Sequence, residues 1–264
     1  MRPAEGAAGR PPSRPRGRWR AFTLHAALAL LLTALTFTGG LAWLLSRAFR
    51  RRPHRWLAFA ALYLALSATI WFTAPLLGRQ PVPCWGEPLR AKAIYCAMNR
   101  TYVVPEMKAV LTDLATAMAK AHPGTLTLML DGGFPATGLP LLPHLSHDDG
   151  EKADLAFWYR GPSGYSPGRT RAPLGYFAFE PGPSQCPPAF PTLRWNLAWL
   201  QPLWRDMALD GARLREALRL LQADPRVGKV FLEPHLAQAH GAGSKTRFQG
   251  CRAARHDDHL HLQL

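Results

Sequence analysis

The chain has 264 residues, 48% apolar and 10% aromatic, with a formal net charge of +15. That suffices for one domain of ordinary size with a sizeable core, plus additional segments. A charge this large suggests a nucleic-acid binder, but its placement argues against one: residues 1–55 hold eleven of the 32 Lys and Arg and one of the 17 acids, and the remainder is only mildly basic.

Residues 1–20, rich in Pro, Gly and Arg, read as a disordered basic tail. Residues 21–46 carry no formal charge and are long enough for a transmembrane helix. A basic loop, 47–55, follows with Arg47, Arg50, Arg51, Arg52 and Arg55. Residues 56–77 form a second uncharged run, with Trp56 and Trp71 near its ends as interfacial aromatics. The first run is too long for the apolar core of a signal peptide. Two spans put the N-terminus and the rest of the chain on the same side, so the six arginines of the tail would have to cross; with a single span the tail stays inside and the domain is still outside.

Residues 78–94 read as a linker and 95–264 as the main domain. Within it, Met107, Val110, Leu111, Leu114 and Met118 repeat at helical spacing, predicting a helix over 105–122 that opens on Pro105. Short strands are expected at 125–130, 153–159, 227–232 and 259–264, and helices at 196–207 and 211–222. Residues 161–173, full of Gly, Ser and Pro, read as a loop. Helices mixed with separated strands define an α+β class.

Cys84, Cys96, Cys186 and Cys251 all follow the apolar runs, and none forms a CxxC pair. An even count beyond a membrane suggests two disulfides in an oxidising compartment. Of three connectivities, Cys84–Cys96 with Cys186–Cys251 is preferred.

Two clusters hold five of the ten histidines: 144–154, with His144, His147 and Asp154, and 256–261, with His256, His259 and His261. Catalytic zinc takes three protein ligands, commonly imidazole and carboxylate. On a strand, His259 and His261 share one face, leaving Leu260, Leu262 and Leu264 to pack on the other. A turn marked by Gly150 brings His147 and Asp154 back to one point. The metal would then be held by His147, Asp154 and one of the pair His259/His261. No HExxH is present, so a glutamate-base zincin is not indicated.

Both clusters also match one pattern. His144, Ser146, His147, Gly150 and Asp154, then His256, Asp257, His259 and His261, resemble the LAS group of peptidoglycan-cleaving zinc peptidases, most closely the penicillin-insensitive murein endopeptidase branch. The stretch Val230 to His235 is also similar to that branch. The resemblance covers roughly residues 95–264, with two specific blocks. It implies a small antiparallel sheet with flanking helices. It also implies Zn2+ held by His147, Asp154 and His261, with His259 as catalytic base and His144 and His256 assisting. The implied activity is amide hydrolysis in murein cross-links. The two apolar runs depart from that branch; with a murein substrate and the cysteines, they place the domain on the periplasmic side of a bacterial inner membrane. A murein carboxypeptidase and a catalytically idle zinc-binding cell-wall module are the competing expectations. Asp131 and Glu233 follow apolar strands and read equally as cleft or turn residues. Trp195, Trp199 and Trp204 read as helix packing rather than sugar contacts.

Overall fold

The computed structural model describes residues 16–49, 51–136, 138, 139, 141 and 146–264. Its N-terminal part differs from two simple spans. The uncharged run 21–46 is broken: α1 (Arg16–Thr36) ends at Phe37, which adopts a left-handed φ of 65°, and α2 (Gly39–Ser46) turns back along it. Gly39 and Gly40 permit this reversal. A Cβ on Gly40 would stand 2.3 Å from the Ala29 carbonyl oxygen, so the helices meet at backbone distance. α3 (Arg52–Thr73) packs on α2 through Trp43, whose ring lies 5.6 Å from Trp56 and 6.0 Å from Phe59. α1 and α3 are each long and apolar enough to cross a membrane.

The stretch expected as a linker, 78–94, is built into the domain. After a short 3-10 turn at Ala74–Leu77, β1 (Gln80–Pro81) pairs with β3 (Tyr102–Val103). β2 (Leu89–Ala91) joins the main sheet, and Val82, Leu89 and Ala91 are buried. α4 (Ala93–Ala97) follows β2.

The main sheet, six-stranded among the described residues, also uses β4 (Thr127–Met129), β5 (Lys152–Ala156), β9 (Lys229–Phe231), β10 (Thr246–Arg247) and β11 (His259–Gln263). Its order is β10-β9-β11-β5-β4-β2. The central pairs are antiparallel, but β9/β10 and β2/β4 are parallel, so the sheet is mixed rather than wholly antiparallel. β6 (Tyr159–Gly161), β7 (Gly164–Tyr165) and β8 (Ala208–Leu209) form a smaller sheet. The single strand expected at 153–159 is therefore two: the chain leaves β5 at Phe157, and Trp158 is fixed by donating its indole N–H to the Leu126 carbonyl at 3.1 Å.

α5 (Pro105–Ala121) realises its apolar stripe, burying Met107, Val110, Leu111, Leu114 and Met118. Glu106 in its first turn and Lys120 in its last complement the helix dipole. α6 (Gly211–Ala223) is N-capped by Asp210, whose side chain accepts from the Arg213 amide. The two helices pack together over Leu155, Val230, Leu260 and Leu262 of the sheet. α7 (Pro234–His240) completes the fold. The helix expected at 196–207 is only a 3-10 turn, Ala198–Leu203, because Leu197 is left-handed and Pro202 lacks the N–H an α-helix needs. Trp199 is 72% exposed there, so it is not packed as expected.

Disulfides join Cys84 to Cys96 and Cys186 to Cys251, the preferred pairing. Titration of the unreduced protein in denaturant will find no free thiol. Replacing Cys186 and Cys251 together by Ser will remove about 2–4 kcal/mol of stability, measured by urea unfolding. An unchanged midpoint would mean that the segment before His256 needs no tether.

Candidate metal centre

Asp154 and His261 are cross-strand partners at the centre of the sheet, in a register that pairs His261 with Asp154 and His259 with Ala156. Directly opposed residues share a face, and the alternation carries His259 to that face as well. Leu260 and Leu262 point the other way and are fully buried. His147 comes from the turn before β5. That turn needs Gly150: its φ is +75°, and a Cβ there would overlap the Arg79 guanidinium.

Three atoms converge. His261 Nδ1 lies 2.7 Å from Asp154 Oδ1 and 3.2 Å from His147 Nε2, and His147 Nε2 lies 3.4 Å from Asp154 Oδ1. Tetrahedral zinc with bonds of about 2.0–2.1 Å has ligand–ligand edges of about 3.3 Å. The three residues are a buried group that can hold a metal ion.

The far side of each side chain is also fixed. His147 Nδ1 donates to the Gly132 carbonyl at 2.6 Å, and a carbonyl only accepts, so in the neutral ring Nε2 is the acceptor nitrogen and faces His261 and Asp154. Tyr176 donates its hydroxyl to Asp154 Oδ2 at 2.7 Å, leaving Oδ1 inward. Burial, then the Asp154 charge, raises the Tyr176 pKa well above its ordinary value, so it remains a donor. His261 Nε2 lies 3.1 Å from the Gln263 amide nitrogen. As placed, that amide nitrogen donates to Nε2 and Nδ1 shares its proton with Asp154 Oδ1; ligation through Nδ1 requires the Gln263 amide turned over, so that its oxygen accepts Nε2–H.

His259 completes the cluster. Its Nδ1 is hydrogen-bonded to Asp258 Oδ1, and its Nε2 is 3.7 Å from Asp154 Oδ1. The other Asp258 oxygen accepts from the Phe177 amide. His256 is buried, its ring centroid 4.9 Å from that of His259. Ser146, His147, Asp154, Leu193, Gln249, Ala253, Ala254, His256, His259 and His261 line a cavity of about 220 Å³.

Of the sequence-derived site residues, the fold brings together His147, Asp154, His256, His259 and His261; His144 lies outside the described residues. Asp131 and Glu233 are not free cleft acids. Asp131 is ion-paired with Arg100, and Glu233 with Arg194 at 2.8 Å. Tyr176, Asp258 and Gln263 were not singled out from sequence as holding the site. No protein-family model matches the chain, and no curated protein matches it in sequence.

Burial lowers the His261 pKa to about 4, although the Asp154 hydrogen bond and charge pull it upward. A histidine in the unfolded chain takes a proton near ~6.5. Between these values the unfolded state binds more protons, so the metal-free protein will lose stability as pH falls from about 6.5 to about 4. Melting temperature against pH checks this. His261→Gln should flatten the slope in that window, and an unchanged slope would reject His261 as its source.

Proposed function

We propose that this protein is a zinc-dependent hydrolase of peptidoglycan amide bonds, an endopeptidase with an LAS-type site. The supporting observation is the convergence of His147 Nε2, Asp154 Oδ1 and His261 Nδ1 within 3.4 Å of one another. His147 and Asp154 are held from behind by the Gly132 carbonyl and the Tyr176 hydroxyl. Two imidazole nitrogens and one carboxylate oxygen suit zinc and leave room for substrate. When bound, the ion supplies Lewis acidity toward an amide carbonyl and a water in the same cleft. His259 accepts the proton at Nε2 and returns it to the leaving amine. Asp258 holds the Nδ1 proton of His259 and steadies the imidazolium. His256 borders the reacting atoms, and His144 is assigned there by the motif alone.

Anionic murein suits a mildly basic domain, and two disulfides suit the periplasm. We therefore place the domain outside a bacterial inner membrane. Digestion of purified sacculi by the full-length protein, with muropeptides resolved by mass, is the test. The endopeptidase reading expects cross-linked dimers to disappear with a matching rise in monomers. Loss of one terminal residue without loss of dimers would make it a carboxypeptidase. No change with metal-loaded protein would leave a binding module.

A further inference from the structure

We propose that the N-terminal segments form a three-pass anchor, not a two-span one. α1, then α2 with its following loop, and then α3 each cross the same bilayer. The N-terminus and loop 47–55 share one face, and the metal-binding domain sits directly on the other. The proposal rests on the membrane reading above and on none of the metal chemistry.

Depth along α1 is the first argument. As α2 advances, Gly39 meets Thr36 and Leu32, Gly40 meets Thr33 and Ala29, and the Trp43 ring lies 5.7 Å from His25. The contacts step steadily back toward the start of α1. Counted from Gly40, which lies between Ala29 and Thr33, Arg47 falls about 10 Å further down, near Leu24. Trp43 also touches Trp56, so Arg52, one turn earlier on α3, lies near the same level. Toward the opposite end, the Asn99 amide nitrogen of the domain sits among four acceptors, the Thr36 carbonyl at 3.1 Å, Thr38 Oγ1 at 3.2 Å, Tyr63 Oη at 3.3 Å and Ser67 Oγ at 2.9 Å, and shares its two hydrogens among them. Thus the start of α3 lies level with the early turns of α1, and the α1–α2 turn meets the domain toward the other end, where the domain reaches α3 as far down as Tyr63.

Length agrees. Trp19 to Thr36 rises about 26 Å, close to the ~30 Å of a hydrocarbon core. α2 covers only about 12 Å of the return, which is why hydropathy does not mark it as a separate span. The turn at Arg47 to Phe49, whose amides bond back to Leu44, Leu45 and Ser46, extends it to about 16 Å, and the long Arg47 side chain reaches further toward the interface.

The surface identifies the occupant as lipid. Leu30, Leu57 and Leu64 are each about 70% exposed, so no part of the domain covers these faces. The hydroxyls of Thr33 and Thr36 are satisfied within α1, as hydrocarbon demands: they donate to the carbonyls of Ala29 and Leu32 at 2.9 and 2.7 Å. The Gly39-Gly40 approach to α1 is the small-residue packing that joins helices in membranes. Charge agrees as well. No Asp or Glu occurs between residues 6 and 86. With three crossings, the arginines of the tail and those of loop 47–55 lie together on the cytoplasmic face, as the positive-inside tendency prefers. With two crossings they are split, and six arginines must be exported.

The anchor also seats the site. The Phe37 ring is 5.7 Å from Phe134, and a Cβ added to the neighbouring Gly133 would stand 3.4 Å from the His147 carbonyl oxygen, so the two backbones run close together. The metal centre is two packing layers from the membrane end, which suits amide bonds close to the bilayer.

The test uses the full-length protein in bacterial cells. Retention in membranes after an alkaline carbonate wash is expected; release would overturn the membrane reading itself, and this proposal with it. In the retained protein, Ala48→Cys in the loop and Ser163→Cys in the exposed β6–β7 turn are treated separately with a membrane-impermeant maleimide on intact spheroplasts. A split fluorescent fragment on the N-terminus reports cytoplasmic location. The expected result is a fluorescent N-terminus, labelling of Ala48→Cys only after lysis, and labelling of Ser163→Cys in intact spheroplasts. A dark N-terminus beside an internal Ala48→Cys and an external Ser163→Cys would restore two crossings. Labelling of Ala48→Cys in intact spheroplasts would overturn the topology outright.

Discussion

His259→Ala will leave a protein that keeps its metal and loses hydrolysis, whereas His261→Ala will lose both. The two residues share one strand face, yet their surroundings differ. His261 Nδ1 is packed between Asp154 Oδ1 and His147 Nε2, at 2.7 and 3.2 Å. Removing it opens one corner of the triangle. His259 stands farther off, with Nε2 at 3.7 Å from Asp154 and Nδ1 tied to Asp258. That is the arrangement of a base with an orienting carboxylate. General acid–base catalysis typically contributes about 10²–10⁴-fold, so turnover on a cross-linked muropeptide should fall by at least that much. Asp154→Ala should behave like His261→Ala. Asp258→Asn should keep metal and lose part of the rate. Elemental analysis beside turnover decides the matter. A metal-free His259→Ala with a loaded but inactive His261→Ala would exchange the roles. Wild-type protein that binds no zinc would end the enzyme reading.

Much of the site is legible in the sequence because strand geometry is simple. The His-x-His spacing puts both rings on one face and the intervening leucines in the core, as β11 does. Asp154 sits within a short apolar run, where a carboxylate has reason to be only if it is paired or ligating. What escaped notice depends on tertiary register. Tyr176 reaches Asp154 from a loop 22 residues away, and nothing local separates it from its aromatic neighbours. Asp258 stands beside Asp257 in the same motif, and only the fold shows that Asp258 faces His259 while Asp257 pairs with Arg255. The α1–α2 reversal is hidden from hydropathy because Thr36-Phe37-Thr38 is uncharged; Gly39-Gly40 is its local signal. The shortfall at 196–207 has a plainer cause, since Pro202 stands in the middle of the expected helix.

Asp131→Ala will destabilise the domain by about 3–5 kcal/mol and weaken metal binding with it. Arg100 and Asp131 are 3% and 1% exposed and form a forked pair, with Arg100 Nε donating to Asp131 Oδ1 at 2.8 Å. Removing the carboxylate leaves a guanidinium in the interior with its main counter-charge gone. The same backbone supports the metal centre. The Asp131 carbonyl accepts from the Asp154 amide at 2.7 Å, and the Gly132 amide donates to the Arg100 carbonyl at 3.0 Å. Gly132 in turn presents the carbonyl that orients His147. Any shift of this segment therefore reaches two members of the candidate metal group, His147 and Asp154, at once. Asp131→Asn should also be severely affected, because it keeps the shape but not the charge. Arg100→Met with Asp131→Leu should recover much of the stability, since replacing both partners strands no charge. Recovery of metal affinity should lag, because Met and Leu do not restore the position of the Gly132 carbonyl. Urea unfolding with a zinc competition titration on each variant separates the two effects. A loss below about 1 kcal/mol in Asp131→Ala, the range of an exposed pair, would mean that water reaches Arg100 and that the segment is held by its backbone alone.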